Sequence, residues 1–478
     1  MTLTVAFFSM PVIAEPSYEN YTYSYFGIPS EEPQAYLPNG IVTGASLGLG
    51  DFNNPNDLFV AVDGKIYIAD SGNNRIIVLN KNLEVLYTIK SFDINGVKSS
   101  FANPCGIFVT SDNDIYIADS DNGRVVVLDA NYNYKAAYGA PKSGIIAEEF
   151  VYKPVKVVVD QAKRIFVVSQ NVNKGLIELD NEGNFISFFG AIKVSPDLRM
   201  VFWRMIATKE QKARMPLELP TEYSSVDIDN KGFVYSVVKA TGSNTSFDPE
   251  VLIRKLNPLG NDVLNRNGFW TPMGDVMFRT IKGVPLNSRF ADICIGSYGI
   301  YSAIDTTKGR IFTYDDNGNL LAVFGKYGQH LGEFGNPVAI EIINDTEYLV
   351  LDSKYNQIVR FKPTDYMNTI HEAVRAQYKR QYEISEQNWT EVLKNSSKFE
   401  LAYNGKGKAL YRLENYKDAM TYFKLGNDRV AHSYAFKEYR TILINQYFTY
   451  GMLALIILLF VLVIAIPIFR KYGRKREK

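Results

Sequence analysis

The sequence is short of the residues that build two common kinds of scaffold and site. Only two cysteines, Cys105 and Cys294, occur in 478 residues, whereas a secreted fold held by disulfides carries more. Three histidines, His330, His371 and His432, leave little material for a histidine-rich metal centre. We therefore expect neither a disulfide framework nor a histidine-bound metal.

An excess of charge is also lacking. Lys and Arg total 52 and Asp and Glu total 51, so no net field attracts the chain to nucleic acid, and we expect no nucleic-acid partner. Apolar residues make up 46% of the chain and charged residues 22%, which is typical of a globular protein. The 32 Tyr and 29 Phe favour strands.

Both ends of the chain resemble targeting segments. Residues 1–14 combine an apolar run, Thr4–Ile13, with small residues at the end, as in a secretory signal peptide. The basic start of such a signal is missing, because no Lys or Arg precedes Lys65. We interpret the segment as a truncated signal peptide, and a buried strand is the alternative.

The carboxyl end carries the long apolar run Gly451–Phe469. As a helix, its 19 residues span roughly 28 Å, close to the thickness of the bilayer hydrocarbon. Aromatic residues precede it and basic residues follow it from Arg470 onwards. These features predict a single transmembrane helix over 447–470 and a basic cytoplasmic tail over 471–478, with the preceding chain outside the cytoplasm.

A repeat occupies the middle of the chain. IYIADSGNNRIIVLN at Ile66–Asn80 returns as IYIADSDNGRVVVLD at Ile115–Asp129, 49 residues later, and an Asn-Pro pair precedes each copy. Four further copies follow, to Lys362, of which the third and fourth units of the series are the weaker ones. Units of this length, with three or four short strands each, predict an all-β six-bladed β-propeller over 15–362. The sixth unit lacks a fourth strand, so we expect the amino-terminal segment to supply it, from Tyr21–Ile28 or from AYLPNGIVTG further on.

The Asn-Pro pair, the IYIADS strand, the Asn-Arg turn and the DDNGNLLAVFG ending resemble the NHL-repeat family of propellers. The resemblance implies the fold, whereas the functions in that family range from protein and RNA binding to lyase chemistry. An Asp is followed five residues later by an Arg in three units. Because a catalytic group is needed only once, we interpret these pairs as structural: Asp70 and Arg75, Asp119 and Arg124, and Asp305 and Arg310.

Positions that differ among the units are better candidates for a site. At the start of the innermost strand, the six units carry Asp57, Gly106, Lys156, Ser225, Asp292 and Ala339. The four polar members, Asp57, Lys156, Ser225 and Asp292, predict a site for a polar ligand or a cation such as Ca²⁺ at the channel mouth. A water-filled polar channel is the alternative, and no other cofactor is expected.

Two helical segments accompany the propeller. The insert 192–220 contains Phe202, Trp203 and Met205, which either present a partner surface or pack on the propeller. Its residues Thr208–Gln211 predict a capping box. From 364 to 446 the pattern is helical, and Tyr403–Gly426 resembles a tetratricopeptide repeat (TPR). This region is either a peptide-binding surface or a stalk.

The whole arrangement resembles membrane-anchored NHL-repeat proteins of bacteria. We expect an extracytoplasmic scaffold that binds a protein or glycan partner through a propeller face, as an accessory or sensor of a membrane complex such as a transporter. The alternative is a hydrolase resembling sugar lactonases, with a cation held by Asp57 and Asp292. No residue is assigned as catalytic, and an enzymatic role is the less favoured reading.

Overall fold

The computed structural model describes residues 16–143, 150–191, 205–208, 211, 222–238, 252–266, 271–275, 280–281, 284–285 and 288–473. The described chain divides into two compact units, Met1–His371 and Glu372–Lys478. The first contains six antiparallel sheets, the blades of a β-propeller, and the second contains helices.

In each blade the antiparallel strands follow one another in chain order from the channel outwards, except that the outermost strand of blade 6 comes from the amino-terminal part of the chain. From the innermost strand outwards, the strands are Asp57–Val60, Ile66–Asp70, Arg75–Leu79 and Val85–Ile89 in blade 1; Pro104–Val109, Ile115–Asp119, Arg124–Leu128 and Tyr134–Tyr138 in blade 2; Pro154–Val159, Ile165–Ser169, Leu176–Leu179 and Phe185–Phe189 in blade 3; Tyr223–Ile228, Val234–Val238 and Ile253–Leu256 in blade 4; Phe290–Ile295, Tyr301–Asp305, Arg310–Tyr314 and Leu320–Phe324 in blade 5; and Pro337–Ile343, Glu347–Asp352, Gln357–Pro363 and Tyr36–Thr43 in blade 6.

Short elements connect the blades. They comprise the strand pairs Ser91–Ile94 with Val97–Ser100, Thr280–Ile281 with Val284–Pro285 and Lys326–Tyr327 with Glu333–Phe334. A further strand pair, Asn20–Tyr23 with Pro29–Glu32, precedes the first of the blade strands in the chain, and the 3₁₀ turns Ser71–Asn73 and Ser297–Gly299 lie within blades 1 and 5. The second strands of blades 1, 2, 3 and 5 are buried at every residue, because neighbouring sheets cover both faces. Continuous apolar runs such as IYIA follow from this burial.

The ring is closed by a strand from the segment AYLPNGIVTG, the second of the two amino-terminal candidates. Tyr36–Thr43 pairs antiparallel with Gln357–Pro363 as the outermost strand of blade 6. The earlier segment does not take this place. Asn20–Tyr23 instead pairs with Pro29–Glu32, and Asn20 Oδ1 accepts the Val323 N–H on the outer strand of blade 5. The closing strand removes an open sheet edge.

A left-handed residue marks the turn between the second and third strands. Asn74, Gly123, Gly309 and Asn356 each stand directly before the third strand, with φ between 51° and 67°. Asn and Gly adopt this conformation at low cost, which explains why the repeated words read NNR, NGR, KGR and YNQ.

The second unit is helical. The boundary between the two units falls inside the first helix, α1 Asp365–Tyr378. The second unit contains the last part of α1 and the helices α2 Tyr382–Asn395, α3 Glu400–Arg412, α4 Tyr416–Leu425 and α5 Arg429–Gly473. Gly405 and Gly407 on α3 allow close packing, since a Cβ at Gly405 would lie 2.4 Å from Trp389 Cε2 and one at Gly407 would lie 2.8 Å from Phe423 Cδ1. The small residues of the TPR-like stretch therefore stand where helices cross.

The long helix α5 contains the apolar run. Its first part packs on α4 through Ala431 and Ala435. It then continues without interruption through Gly451–Phe469, the segment long and apolar enough to cross a membrane. That stretch is 0% buried within the described protein.

We predict that Gly405→Ala destabilises the helical unit by about 1–3 kcal/mol, because the added methyl group collides with the Trp389 ring. Far-UV circular dichroism of the full chain during thermal unfolding would measure the loss. Gly451→Ala is the matched control, since a Cβ there meets nothing within 4 Å. Equal melting of the two variants would contradict the packing described.

Candidate functional site

The channel mouth is formed where the innermost strands begin. In blades 2 to 6 the pairing of the first two strands shifts register at this point. Such a bulge gives the inner strand an extra residue and re-aims its side chains. The side chains at Cys105, Val155, Ser224, Ala291 and Val338 consequently line the mouth, beside the four polar residues singled out from the sequence.

Those four polar residues come together in one cluster. Lys156 Nζ lies 2.5 Å from Asp57 Oδ1 and 3.4 Å from Asp292 Oδ1. The Ser225 hydroxyl donates to Asp292 Oδ1 at 2.5 Å. Because the four residues belong to blades 1, 3, 4 and 5, one ammonium group joins carboxylates from different parts of the ring.

The same carboxylates also link neighbouring blades. Asp57 Oδ2 accepts the Ile107 N–H of blade 2 at 2.8 Å, and Asp292 Oδ2 accepts the Ile340 N–H of blade 6 at 2.9 Å. Each carboxyl therefore holds the next inner strand with one oxygen and Lys156 with the other. Both side chains are buried, with 1% and 2% of their surface exposed.

The cation bound by Asp57 and Asp292 in this arrangement is the Lys156 ammonium. All four carboxylate oxygens already accept a hydrogen bond or an ion pair. Within the described residues, no group of three or more His, Cys, Asp or Glu side chains is placed to hold a metal ion. This geometry gives no support to a Ca²⁺ site built on Asp57 and Asp292.

A second layer of side chains lies two residues further along each inner strand. Phe59, Phe108 and Val158 occupy it in blades 1 to 3, and the two phenyl rings lie 5.1 Å apart. Asp227, Cys294 and Glu341 occupy it in blades 4 to 6. In this layer, blades 1 to 3 are therefore apolar, whereas blades 4 and 6 carry acids.

Burial shifts the titration of the channel acids. It raises the pKa of Asp57 to about 6, although the Lys156 ammonium opposes the shift. It raises the pKa of Asp227 to about 7, against hydrogen bonds from the Ile228 and Ile295 N–H groups. Burial and the Asp227 carboxyl raise the pKa of Glu341 well above its usual range. Burial alone would lower the pKa of Lys156, but Asp292 and Asp57 outweigh it and raise that pKa.

A cavity of about 290 Å³ opens at the mouth and is lined by residues of all six blades. Besides the cluster, its lining includes the amide side chains of Asn54, Asn56, Asn103 and Gln170. These amides were not identified from the sequence. In the sequence, the Asn-Pro pairs at 54–55 and 103–104 could have pointed to the amides of Asn54 and Asn103, because both pairs lie at or just before the start of an inner strand.

The repeated Asp and Arg residues serve the scaffold in two blades. Asp70 accepts the Asn53 N–H at 2.7 Å and pairs with Arg75 Nε at 2.6 Å. In blade 2, Asp119 accepts the Ala102 N–H and lies 2.8 Å from Arg124 Nε. Each pair thereby holds the segment that leads into its own blade.

Blade 5 departs from that pattern. Asp305 accepts the Arg289 and Thr307 N–H groups, as an Asp at this position should. Arg310 instead pairs with Asp275 at 2.9 Å and lies over the Tyr21 ring. Arg310 therefore makes its structural contacts with Asp275 and the Tyr21 ring rather than with Asp305, because an inserted segment offers it a different carboxylate.

Few residues of the insert are described. Phe202 and Trp203 lie outside the described residues, and Met205 is 77% exposed. The capping box has formed, since the Gln211 N–H donates to Thr208 Oγ1 and the Thr208 N–H donates to Gln211 Oε1. Of the cysteines, Cys105 lines the cavity and Cys294 is buried, and both are free thiols.

Comparison with known proteins agrees with this fold. The NHL repeat family matches residues 52–79 and 101–128, which carry the first three strands of blades 1 and 2. Two blades are thus similar to NHL repeats. The propeller is followed by a helical region that contains the long apolar helix. No curated protein matches the sequence significantly.

Solved structures resemble the chain at low identity. A streptogramin B lyase is 13% identical, with 72% of this chain and 87% of that chain covered and a TM-score of 0.38. Virginiamycin B lyase from Staphylococcus aureus is 11% identical, with 68% and 98% covered and a TM-score of 0.41. A protein of unknown function from Bacteroides thetaiotaomicron is 12% identical, with 72% and 76% covered and a TM-score of 0.43. Likeness at this level carries no statement about activity.

We predict that Lys156→Met lowers the free energy of unfolding by about 3–5 kcal/mol at neutral pH, because it leaves Asp57 and Asp292 buried without their shared cation. Urea unfolding would measure the loss. Lys153→Met is the matched control in the same blade. Its partner Asp121 is exposed, so that change costs less than about 1 kcal/mol. Similar losses in both variants would contradict the clustering.

We also predict that stability falls as the pH rises from about 4 to about 7. The folded protein binds a proton at Asp227 with a pKa of about 7, against an ordinary value of 3.8, so ionisation in this window favours the unfolded chain. Asp227→Asn should flatten the dependence of melting temperature on pH. Asp121→Asn, at an exposed position, should leave the slope unchanged. Retention of the original slope by the Asp227→Asn variant would contradict the assignment.

Proposed function

We propose that the chain is a membrane-anchored binding protein that presents the mouth of its propeller to a protein or glycan outside the cytoplasm. The anchor is the apolar part of α5, and the observation that carries this proposal is that the described protein buries none of the residues in its apolar window. A run of 19 apolar residues that no other described element covers exposes a large hydrophobic surface to water unless lipid surrounds it.

The flanks of the run support the same orientation. Tyr447, Phe448 and Tyr450 are exposed before it, as in an aromatic belt at a membrane surface. Arg470 and the basic residues after it favour the cytoplasmic side. The propeller and the helical unit then lie on the opposite side, where the helical unit serves as a stalk or binds a peptide.

The mouth is the favoured binding face because it is the concave, polar part of the propeller. Its 290 Å³ cavity collects side chains from every blade around a buried ion cluster. A scaffold of this kind serves as an accessory or sensor of a membrane complex. The lactonase-like alternative requires Asp57 and Asp292 to release Lys156 before they can bind a metal ion, so it is the weaker proposal.

Membrane orientation is tested by cysteine labelling in intact cells. In both variants the free thiol of Cys105 is first replaced by serine. A membrane-impermeant maleimide should then label Val62→Cys, which is 89% exposed on the propeller, without permeabilisation. Lys478→Cys in the tail should react only after permeabilisation. The reverse pattern would overturn the proposed orientation.

Use of the mouth is tested by photo-crosslinking in the same cells. A photoreactive residue at Gln170, which lines the cavity, should trap the partner. The same residue at Val62, in the turn that follows the other end of an inner strand, is the control and should trap little. Equal yields at the two positions, or no adduct at either, would remove the mouth as the binding face.

A further inference from the structure

We propose that the cavity at the mouth binds one uncharged saccharide unit, such as the terminal sugar of a glycan. This inference rests on the proposed function and narrows its partner to one chemical class. The geometry points to it through three features of the lining: unpaired amides, a remaining donor on Lys156, and a balance of charge that disfavours ions.

The first feature is the hydrogen-bonding capacity left free around the rim. The side chains of Asn54, Asn103 and Gln170 make no hydrogen bond in the part of the chain that the structure describes; the hydrogen bonds of Asn54 and Asn103 run through their backbone groups. Each primary amide offers two N–H donors and a carbonyl acceptor. Sugar hydroxyls both donate and accept, so they match such a rim.

Other asparagines of the repeat contrast with these three. Asn73 donates to Asp70 and to the Asp51 carbonyl. Asn336, in the Asn-Pro pair of blade 6, donates to the Ser353 hydroxyl and does not line the cavity. Not every asparagine of the repeat thus leaves its amide free, and three amides that are free line the cavity.

The second feature lies at the floor of the cavity. The Lys156 ammonium has three N–H donors and contacts two carboxylates, which leaves one donor for a ligand. Its side chain is only 11% exposed. A sugar hydroxyl or ring oxygen can accept a hydrogen bond from this remaining N–H group. The position of the ammonium is already fixed by the two carboxylates.

The third feature is charge. An anion at the mouth would approach the carboxylates of Asp57 and Asp292, which outnumber the single ammonium of Lys156. A cation would meet the Lys156 ammonium and carboxylate oxygens that already have partners. An uncharged ligand meets neither penalty, because it makes hydrogen bonds without adding a charge to a partly dry site.

Size limits the ligand to about one ring. The cavity measures about 290 Å³, at the lower end of the roughly 300–1,000 Å³ common for small-molecule sites. Small apolar residues, Val155, Ala291 and Val338, complete the lining. They suit the C–H groups of a pyranose, which has polar edges and apolar faces.

The test uses the full chain in phospholipid nanodiscs, because glycoside detergents would themselves occupy a sugar site. Isothermal titration calorimetry would measure binding of neutral methyl hexosides and their N-acetylated forms. We expect at least one to bind at a one-to-one ratio. Glucuronate and glucosamine should bind about tenfold more weakly or worse, since each adds a charge. Saturation by none of the neutral sugars, or tighter binding of a charged one, would overturn the proposal.

Variants at the rim connect that binding to the cavity. Gln170→Ala and Asn103→Asp should each weaken the best sugar by about tenfold, through loss of one hydrogen-bonding group. Aspartate tolerates the left-handed backbone of Asn103, where φ is 53°. Asn336→Asp, the same change in blade 6 outside the cavity, should leave affinity unchanged. Equal weakening by Asn336→Asp would place the sugar elsewhere and contradict the inference.

The crosslinking experiment separates the two proposals. If no sugar binds but a photoreactive residue at position 170 still traps a partner, the saccharide inference is wrong and the binding role of the mouth remains. If neither result is obtained, both are wrong.

Discussion

The buried ammonium of Lys156 is the interaction on which the centre of the propeller depends. It lies between Asp57 and Asp292, and each of these carboxylates holds a backbone N–H of the next blade with its other oxygen. Charges removed from water cost several kcal/mol each unless they are paired and hydrogen-bonded. The cluster meets this requirement, so the same contacts that join the blades also set the charge and shape of the channel mouth.

Scaffold and site use different residues of the same repeat. The residues that recur, such as Asp70 with Arg75, bind the turns and the segments leading into their own blades. The residues that differ from blade to blade face the channel. A propeller can therefore vary its mouth without altering the packing between sheets, because the buried second and third strands carry that packing.

Much of the fold was predictable because its physical signals are local. Strand alternation, left-handed turn positions and a period of about 49 residues identify the blades, and an apolar run identifies the long helix. Four of the mouth residues were also predictable, since a polar side chain on a packed inner strand requires an explanation. The choice of Tyr36–Thr43 over Tyr21–Ile28 as closing strand was not, because both segments are β-prone and only pairing across the whole ring distinguishes them.

The sequence alone determined the number and order of the blades, the structural role of the recurrent Asp residues and the apolar length of the final helix, because each depends on neighbours close in the chain. Tertiary structure decided that Lys156 neutralises Asp57 and Asp292, that Arg310 pairs with Asp275, and that the amides of Asn54, Asn103 and Gln170 surround one cavity. These contacts join residues tens to hundreds of positions apart. Their partners are chosen by the curvature of the closed ring and by the bulges that turn each inner strand towards the channel.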